Sequence, residues 1–251
     1  MKISCIIQAR TGSSRLPDKV LLKVSGKEIL THVIERVLKS KRINEVIIAT
    51  TKNEKDDRIV ALVENYANSN VKVYRGSEDD VLDRYYQAAK EFGVEIIVRI
   101  TSDCPLIDWD VIDKVIDEFN GSDYDYISNV LDKRTYPRGL DVECFSFDVL
   151  ERMWEICKEK REREHVTTYI RENMDEFKTK TVTNEIDLSE YRWTLDEVDD
   201  LRFIKKIYQE LYNEKELFGT EDVLRLIREK PELAKINSHI EQKKNILNEA
   251  N

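Results

Sequence analysis

The chain has 251 residues, of which 41% are hydrophobic and 36% charged, and a formal net charge of −9. That length can bury a sizeable core without covalent staples, while the acidic balance excludes a general binder of nucleic-acid backbones, which needs a basic face. Three histidines and four scattered cysteines (Cys5, Cys104, Cys144, Cys157), with no C-x-x-C pair, argue against a zinc site and for reduced thiols in a cytoplasmic protein. No apolar run approaches the roughly 18 residues of a membrane span, so no membrane insertion is expected. The charged "ARTGSSR" after "MKISCII" is no cleavage site, and the N-terminus reads as a first strand.

In chain order, "ISCII", "EVIIAT", "VKVY" and "VEIIVRI" have the length and β-branched content of strands. Between them lie helical patterns. In "ILTHVIERVLKS" two apolar rows recur every four positions, Ile29, Val33, Val37 and Leu30, Ile34, Leu38. "DDRIVALVENYA" and "DVLDRYYQAAKEFG" behave likewise, the latter ending on Gly93 as a C-terminal cap. Four strands joined by helices imply βαβ crossovers and a parallel sheet. After Thr101 the pattern loosens: a helix at "DWDVIDKVIDEF", a strand at "DVECFSF", a helix at "DVLERMWEICKEKRERE", strands at "FKTKTVTN" and "YRWTL", and a helix at "EVDDLRFIKKIYQELY". From Asn213 onward the chain reads as all helical, with "EDVLRLIREK" followed by "PELAKINSHIEQKKNILNEA", where Pro231 suits a first turn. The expected organisation is an α/β unit over 1–212 and a helical extension over 213–251, whose Leu233, Ile236, Ile240, Ile246 and Leu247 read as ordinary core.

Ligands of open parallel sheets sit beyond the carboxyl ends of the strands, so the loops there carry the information. The first, "QARTGSSRLPDK", gathers Gly12, Ser13 and Ser14, which permit a tight turn with outward amides, and the cations Arg10, Arg15 and Lys19. Amide donors and cations aimed at one point form a phosphate cradle, although neither the P-loop nor the dinucleotide fingerprint is present. A solvated basic loop is the plain alternative. The second loop, "RITSDCPLID", sets Asp103 at the sheet edge, as a hard oxygen ligand for Mg²⁺ on a triphosphate or as a turn former. In the third, "RWTLDEVDDL", Asp196 is an N-cap or a metal ligand. Two carboxylates facing a basic cradle suit attack on the α-phosphorus of a nucleoside triphosphate with departure of pyrophosphate.

At these residues the chain resembles a known family. "QARTGSSRLPDKVLLKVSGKEIL" is similar to the A-R-x-x-S-x-R-[LF]-P-x-K signature of cytidylyltransferases that activate acidic sugars, those of 3-deoxy-manno-octulosonate and of N-acylneuraminate. The closer resemblance is to the spore-coat polysaccharide biosynthesis type, through "GSEDDVLDRYYQAA", "RITSDCPLID", "RGLDVECFS", "REHVTTYI", "RWTLDEVDDL" and "PELAKINSHIEQK", in the same order. The resemblance implies a nucleotide-diphospho-sugar transferase fold, a Rossmann-like, mostly parallel sheet flanked by helices. It implies transfer of CMP from CTP with Mg²⁺, and a homodimer. Carried over residue by residue, it puts Arg10, Arg15 and Lys19 on the triphosphate in a catalytic role. It adds Ala9, Gly12, Ser13, Ser14 and Asp103 to the nucleotide contacts and sets Gly76, Ser77, Asp79 and Arg84 near base and ribose. Asp103 and Asp196 are then the metal ligands.

For a small-molecule acceptor, "YPRGLDVE" and "REREHVTTY" offer Arg138, Asp141, Glu143, Glu164 and His165, with Arg138 suited to a substrate carboxylate. Each has a structural alternative, a surface charge or an internal hydrogen bond. Here the chain departs from the sugar-acid enzymes, so another small acid or phosphorylated compound is also open as acceptor. Two rival readings stand beside this one. A metal-dependent glycosyltransferase would use an Asp-x-Asp triplet, present at "DWD" (108–110) and "DYD" (123–125). A non-catalytic nucleotide-binding subunit would have no need of Lys19, Asp103 and Asp196.

Overall fold

In the computed structural model, which describes residues 1–241, strand β1 (Ile3–Gln8) lies inside a seven-stranded sheet. Cys5 and Ile7 pack into one helical layer and Ile6 into the other, so both faces are covered. That double burial is why apolar residues occupy both faces of the strand, with the buried Ser4 hydroxyl donating to Glu45 at 3.0 Å. Strands β4 (Glu45–Thr51), β5 (Val71–Gly76) and β6 (Ile96–Thr101) run parallel in the same sheet, β4 and β6 flanking β1 and β5 beside β4. Helices α1 (Ile29–Leu38), α2 (Asp57–Glu64) and α3 (Val81–Phe92) make the crossovers between them. Gly93 ends α3 in the left-handed region, as its position implied.

The order β5–β4–β1–β6 means that the chain first moves outward from β1 and then returns to its other side. At such a reversal the loops leaving the two central strands diverge and leave a crevice, here beyond the carboxyl ends of β1 and β6. The sheet continues through β8 (Glu143–Ser146) and β7 (Tyr126–Ser128), each antiparallel to its predecessor, and ends on β9 (Thr179–Thr181), parallel to β7. Helices α1, α2, α4 (Trp109–Phe119), α8 (Val198–Leu211) and α9 (Thr220–Glu229) cover one face. Helices α3, α5 (Phe147–Ile156) and α7 (Thr168–Glu172) cover the other. Among the described residues, no helix is long and apolar enough to cross a membrane, and the four cysteines are buried and unpaired.

Several elements differ from the sequence expectation. A short hairpin, β2 (Lys23–Val24) and β3 (Lys27–Glu28), turns at Ser25 and Gly26, both at positive φ; the Ser-Gly pair is its only sequence signal. The single helix expected at "DVLERMWEICKEKRERE" is two, α5 and α6 (Lys160–His165). The break arises because Glu162 accepts the amides of Lys158 and Glu159, both at 3.1 Å, and starts a new helix there. "YRWTL" forms no strand, only a bridge between Arg192 and Arg138. The helix expected from Pro231 is, over its described part, a 3₁₀ turn at Leu233–Lys235 followed by irregular chain. Ile246 and Leu247 lie outside the described residues. Helix α9, Phe218 and Leu233 share one core with α1, α4 and α8.

Candidate active site

The crevice holds a cleft of about 280 Å³. The loop after β1 forms one wall with Ala9, Arg10, Gly12, Ser13, Ser14, Arg15 and Lys19. Its shape is set by Asp56, a buried carboxylate that accepts the Thr11 amide and hydroxyl, each at 2.8 Å, and the Thr51 hydroxyl. The Thr11 carbonyl in turn takes the amides of Ser13 (2.8 Å) and Asp18 (3.2 Å). Asp18 adopts a left-handed conformation, tolerated by its short polar side chain, and the 3₁₀ turn Lys19–Leu21 follows.

Lys19 ends in the cleft with its Nζ 2.6 Å from Asp103 Oδ2 and 2.9 Å from Asp196 Oδ1. Burial works against the Lys19 charge, but the two carboxylates outweigh it and raise its pKa. Burial likewise works against ionised Asp103, and the Lys19 ammonium overrides it, holding that carboxyl below its usual range. Arg15 adds a second cation, 3.0 Å from Asp196 Oδ1. The two carboxylate-bearing segments are joined through the backbone: the Asp103 carbonyl accepts the Leu195 amide at 2.8 Å. Asp196 is not the cap of α8. That role belongs to Glu197, in a capping box with Asp200, which leaves the Asp196 side chain to the cleft. Asp103 and Asp196 present oxygen, the donor type that Mg²⁺ prefers, and in this structure the Lys19 ammonium bridges them. Among the described residues no group of three or more His, Cys, Asp or Glu is placed to hold a metal ion.

The nucleotide-side residues separate. Arg84 lines the cleft and is only 2% exposed, with its Nη1 donating to the Ser77 carbonyl at 2.5 Å. Burial lowers its pKa. Gly76 is outside the cleft but makes room for that arginine, since a Cβ there would stand 2.8 Å from Arg84 Cγ. Ser77 and Asp79 are outside it as well, Asp79 on the surface.

On the acceptor side Glu164 and His165 line the cleft, but Arg138, Asp141 and Glu143 do not. Glu143 is buried between Arg99 (2.7 Å) and Arg171 (2.8 Å), and Asp141 is bound bidentately by Arg134 at 2.6 and 2.7 Å. Arg138 is partly buried beside Arg134, and no carboxylate among the described residues lies within ion-pair distance of it. Burial lowers the His165 pKa, more than nearby Glu164 restores it. Val166, next in the chain, has φ 52°, a strained conformation for a β-branched residue.

Neither Asp-x-Asp triplet reaches the cleft. Asp108 caps α4 and accepts the amide and hydroxyl of Thr220 at 2.7 and 2.6 Å. Asp123 pairs with Lys178 at 2.7 Å, and Asp125 accepts the Lys178 amide at 2.8 Å. Sequence reasoning passed over Asp56, although it follows the carboxyl end of β4 at the same sheet edge. It also passed over Arg192 and Asp200, a buried pair behind Asp196, for which charge spacing gave no signal.

A family model described as cytidylyltransferase matches residues 4–248. The spore coat polysaccharide biosynthesis protein SpsF of Bacillus subtilis is 32% identical over 238 residues, which cover 91% of this chain and 95% of SpsF. The solved structure of a cytidylyltransferase from Leptospira borgpetersenii serovar Hardjo-bovis is 35% identical and superposes with a TM-score of 0.88, covering 96% of this chain and 100% of its own. The structure of CMP:2-keto-3-deoxy-manno-octonic acid synthetase complexed with CTP shares the fold, with a TM-score of 0.62 and 19% identity over 84% of this chain and 99% of that one.

Proposed function

The chain belongs to the cytidylyltransferase family, and from that premise we propose that it transfers CMP from CTP to a small acidic acceptor, releasing pyrophosphate, in the cytoplasmic synthesis of a surface-polysaccharide or glycan precursor. The observation that carries the reading is the Lys19 ammonium held between Asp103 and Asp196 at the foot of the Arg10–Arg15 loop. The amides of Gly12 and Ser14 and the guanidinium groups of Arg10 and Arg15 bind the triphosphate, while the Ser13 amide closes the turn on the Thr11 carbonyl. Lys19 meets charge that develops between the α-phosphorus and the departing pyrophosphate. Asp103 and Asp196 would hold Mg²⁺, and the ion would supply neutralisation of phosphate charge. The hydrogen bond from the Leu195 amide to the Asp103 carbonyl joins the two segments that carry these carboxylates.

The acceptor enters on the side of Glu164 and His165, with Arg138 outside the cleft lining. His165, its pKa lowered by burial, is neutral at neutral pH and can accept the proton of an attacking hydroxyl or acid. Burial, and then Arg134 and Arg192 against the opposing Asp141 and Asp196, lowers the Arg138 pKa, and an acceptor anion brought to it would favour its charge. SpsF, named for spore coat polysaccharide biosynthesis, supports a sugar-derived acceptor. The synthetase named for 2-keto-3-deoxy-manno-octonic acid supports an acidic one. The test is incubation with CTP, Mg²⁺ and a panel of sugar acids and phosphorylated acids. Pyrophosphate and a CMP ester are expected in equal amounts with at least one member. Hydrolysis of a nucleotide sugar with no CTP turnover would overturn the proposal in favour of a glycosyltransferase.

A further inference from the structure

We propose that the C-terminal segment completes the carboxylate site, with Asn237 as a positioning residue that acts on Asp196 through Asp200 and Arg192. The inference rests on the reading of Asp196 as an oxygen ligand of the nucleotide-bound cation. Asp200 has no exposed surface, and its carboxylate accepts five hydrogen bonds. Arg192 supplies two, at 2.8 and 2.9 Å. The amides of Asp196 and Glu197 supply two more, at 2.9 and 3.0 Å. The fifth comes from Asn237 Nδ2, at 2.9 Å from Asp200 Oδ1, and the same amide group donates to the Arg192 carbonyl at 2.9 Å. Both partners are acceptors, so the orientation of the Asn237 amide is unambiguous.

These bonds reach the cleft by two routes. Asp200 holds the backbone of Asp196, and Arg192 Nη2, itself oriented by Asp200, donates to Asp196 Oδ2 at 3.3 Å. A buried carboxylate is stable only while its lone pairs are met, and the side chains behind a ligand set its direction. Asn237 is 2% exposed and lies 37 residues beyond Asp200, in the stretch that leaves helical geometry. The departure from the expected helix therefore has a consequence: it delivers one amide group to the back of the site.

The experiment compares Mn²⁺ affinity in saturating CTP, read by electron paramagnetic resonance, with thermal melting. Asn237→Leu removes both donors at similar volume and should weaken Mn²⁺ about tenfold, at the lower end of such outer contacts. Asn237→Ser gives the same reading if leucine is not accommodated. Leu233→Ala, a core truncation in the same segment, should lower the melting temperature and leave Mn²⁺ affinity unchanged. Asp196→Asn is the reference and should lose at least as much affinity as Asn237→Leu. Wild-type affinity in both Asn237 variants, with loss in Asp196→Asn, overturns the positioning role and leaves the metal reading standing. Wild-type affinity in Asp196→Asn overturns both.

Discussion

Lys19→Met is expected to lower kcat/KM for CTP by about 10³-fold, the scale on which a single fixed charge at a reacting phosphoryl group acts. Methionine keeps the stem, so the loss isolates the ammonium. That ammonium touches both Asp103 and Asp196, and Arg15 reaches only the second of them. The variant also carries a pH signature. In the wild type the Asp103 pKa is depressed, a net result in which Lys19 overrides burial. A depressed carboxyl contributes stability that is present above its unfolded pKa and lost as pH falls through the folded one. Lys19→Met removes that contribution, so the melting gap between wild type and variant should narrow as pH falls through the ordinary carboxylate range towards the lowered Asp103 pKa, as measured by circular dichroism. A gap that widens, or turnover near wild type, contradicts the assignment.

Asp103→Asn and Asp196→Asn are each expected to cost about 10³-fold in kcat at saturating CTP and Mg²⁺. The double variant should be little worse than either, since residues that act as one unit are non-additive. The fold should survive, because the Asp103 contact that joins the two segments is made by its carbonyl, not its carboxylate. Steady-state kinetics over a magnesium titration, beside near-ultraviolet circular dichroism, reads both halves of this expectation. Normal turnover in Asp103→Asn would remove the metal role. A collapsed spectrum in either variant would move these carboxylates from chemistry to structure.

The parallel half of the sheet was legible because burial on both faces writes β-branched runs, and because Gly93 marks a helix end that only a residue tolerant of positive φ accepts. The gathering of Arg10, Arg15 and Lys19 on one wall of the cleft was legible because they lie close together in one loop. The rest depends on long-range bonds that periodicity does not carry. Arg192 joins Asp200 and Asp196 within one short stretch, but the amide that completes the set comes from Asn237. A helix-like pattern from Pro231 gave way to that contact. The strand expected at "YRWTL" failed for a related reason: Arg138 and the segment 191–193 satisfy each other's backbone as an isolated bridge, with Trp193 donating to the Arg138 carbonyl at 2.7 Å. Glu143 reads as an acceptor contact from its place in "YPRGLDVE", yet two arginines enclose it on the sheet.

The cleft at the β1–β6 crevice is proposed to take CTP. The measurement is thermal unfolding with CTP, UTP, ATP and GTP in turn, each with Mg²⁺. At about 100 times its dissociation constant a ligand adds about 2.7 kcal/mol, which for a chain of this size raises the melting temperature by about 5–10 °C. A shift with CTP well above those with the other three is the expected result. Equal shifts with all four, or none with CTP, would contradict it.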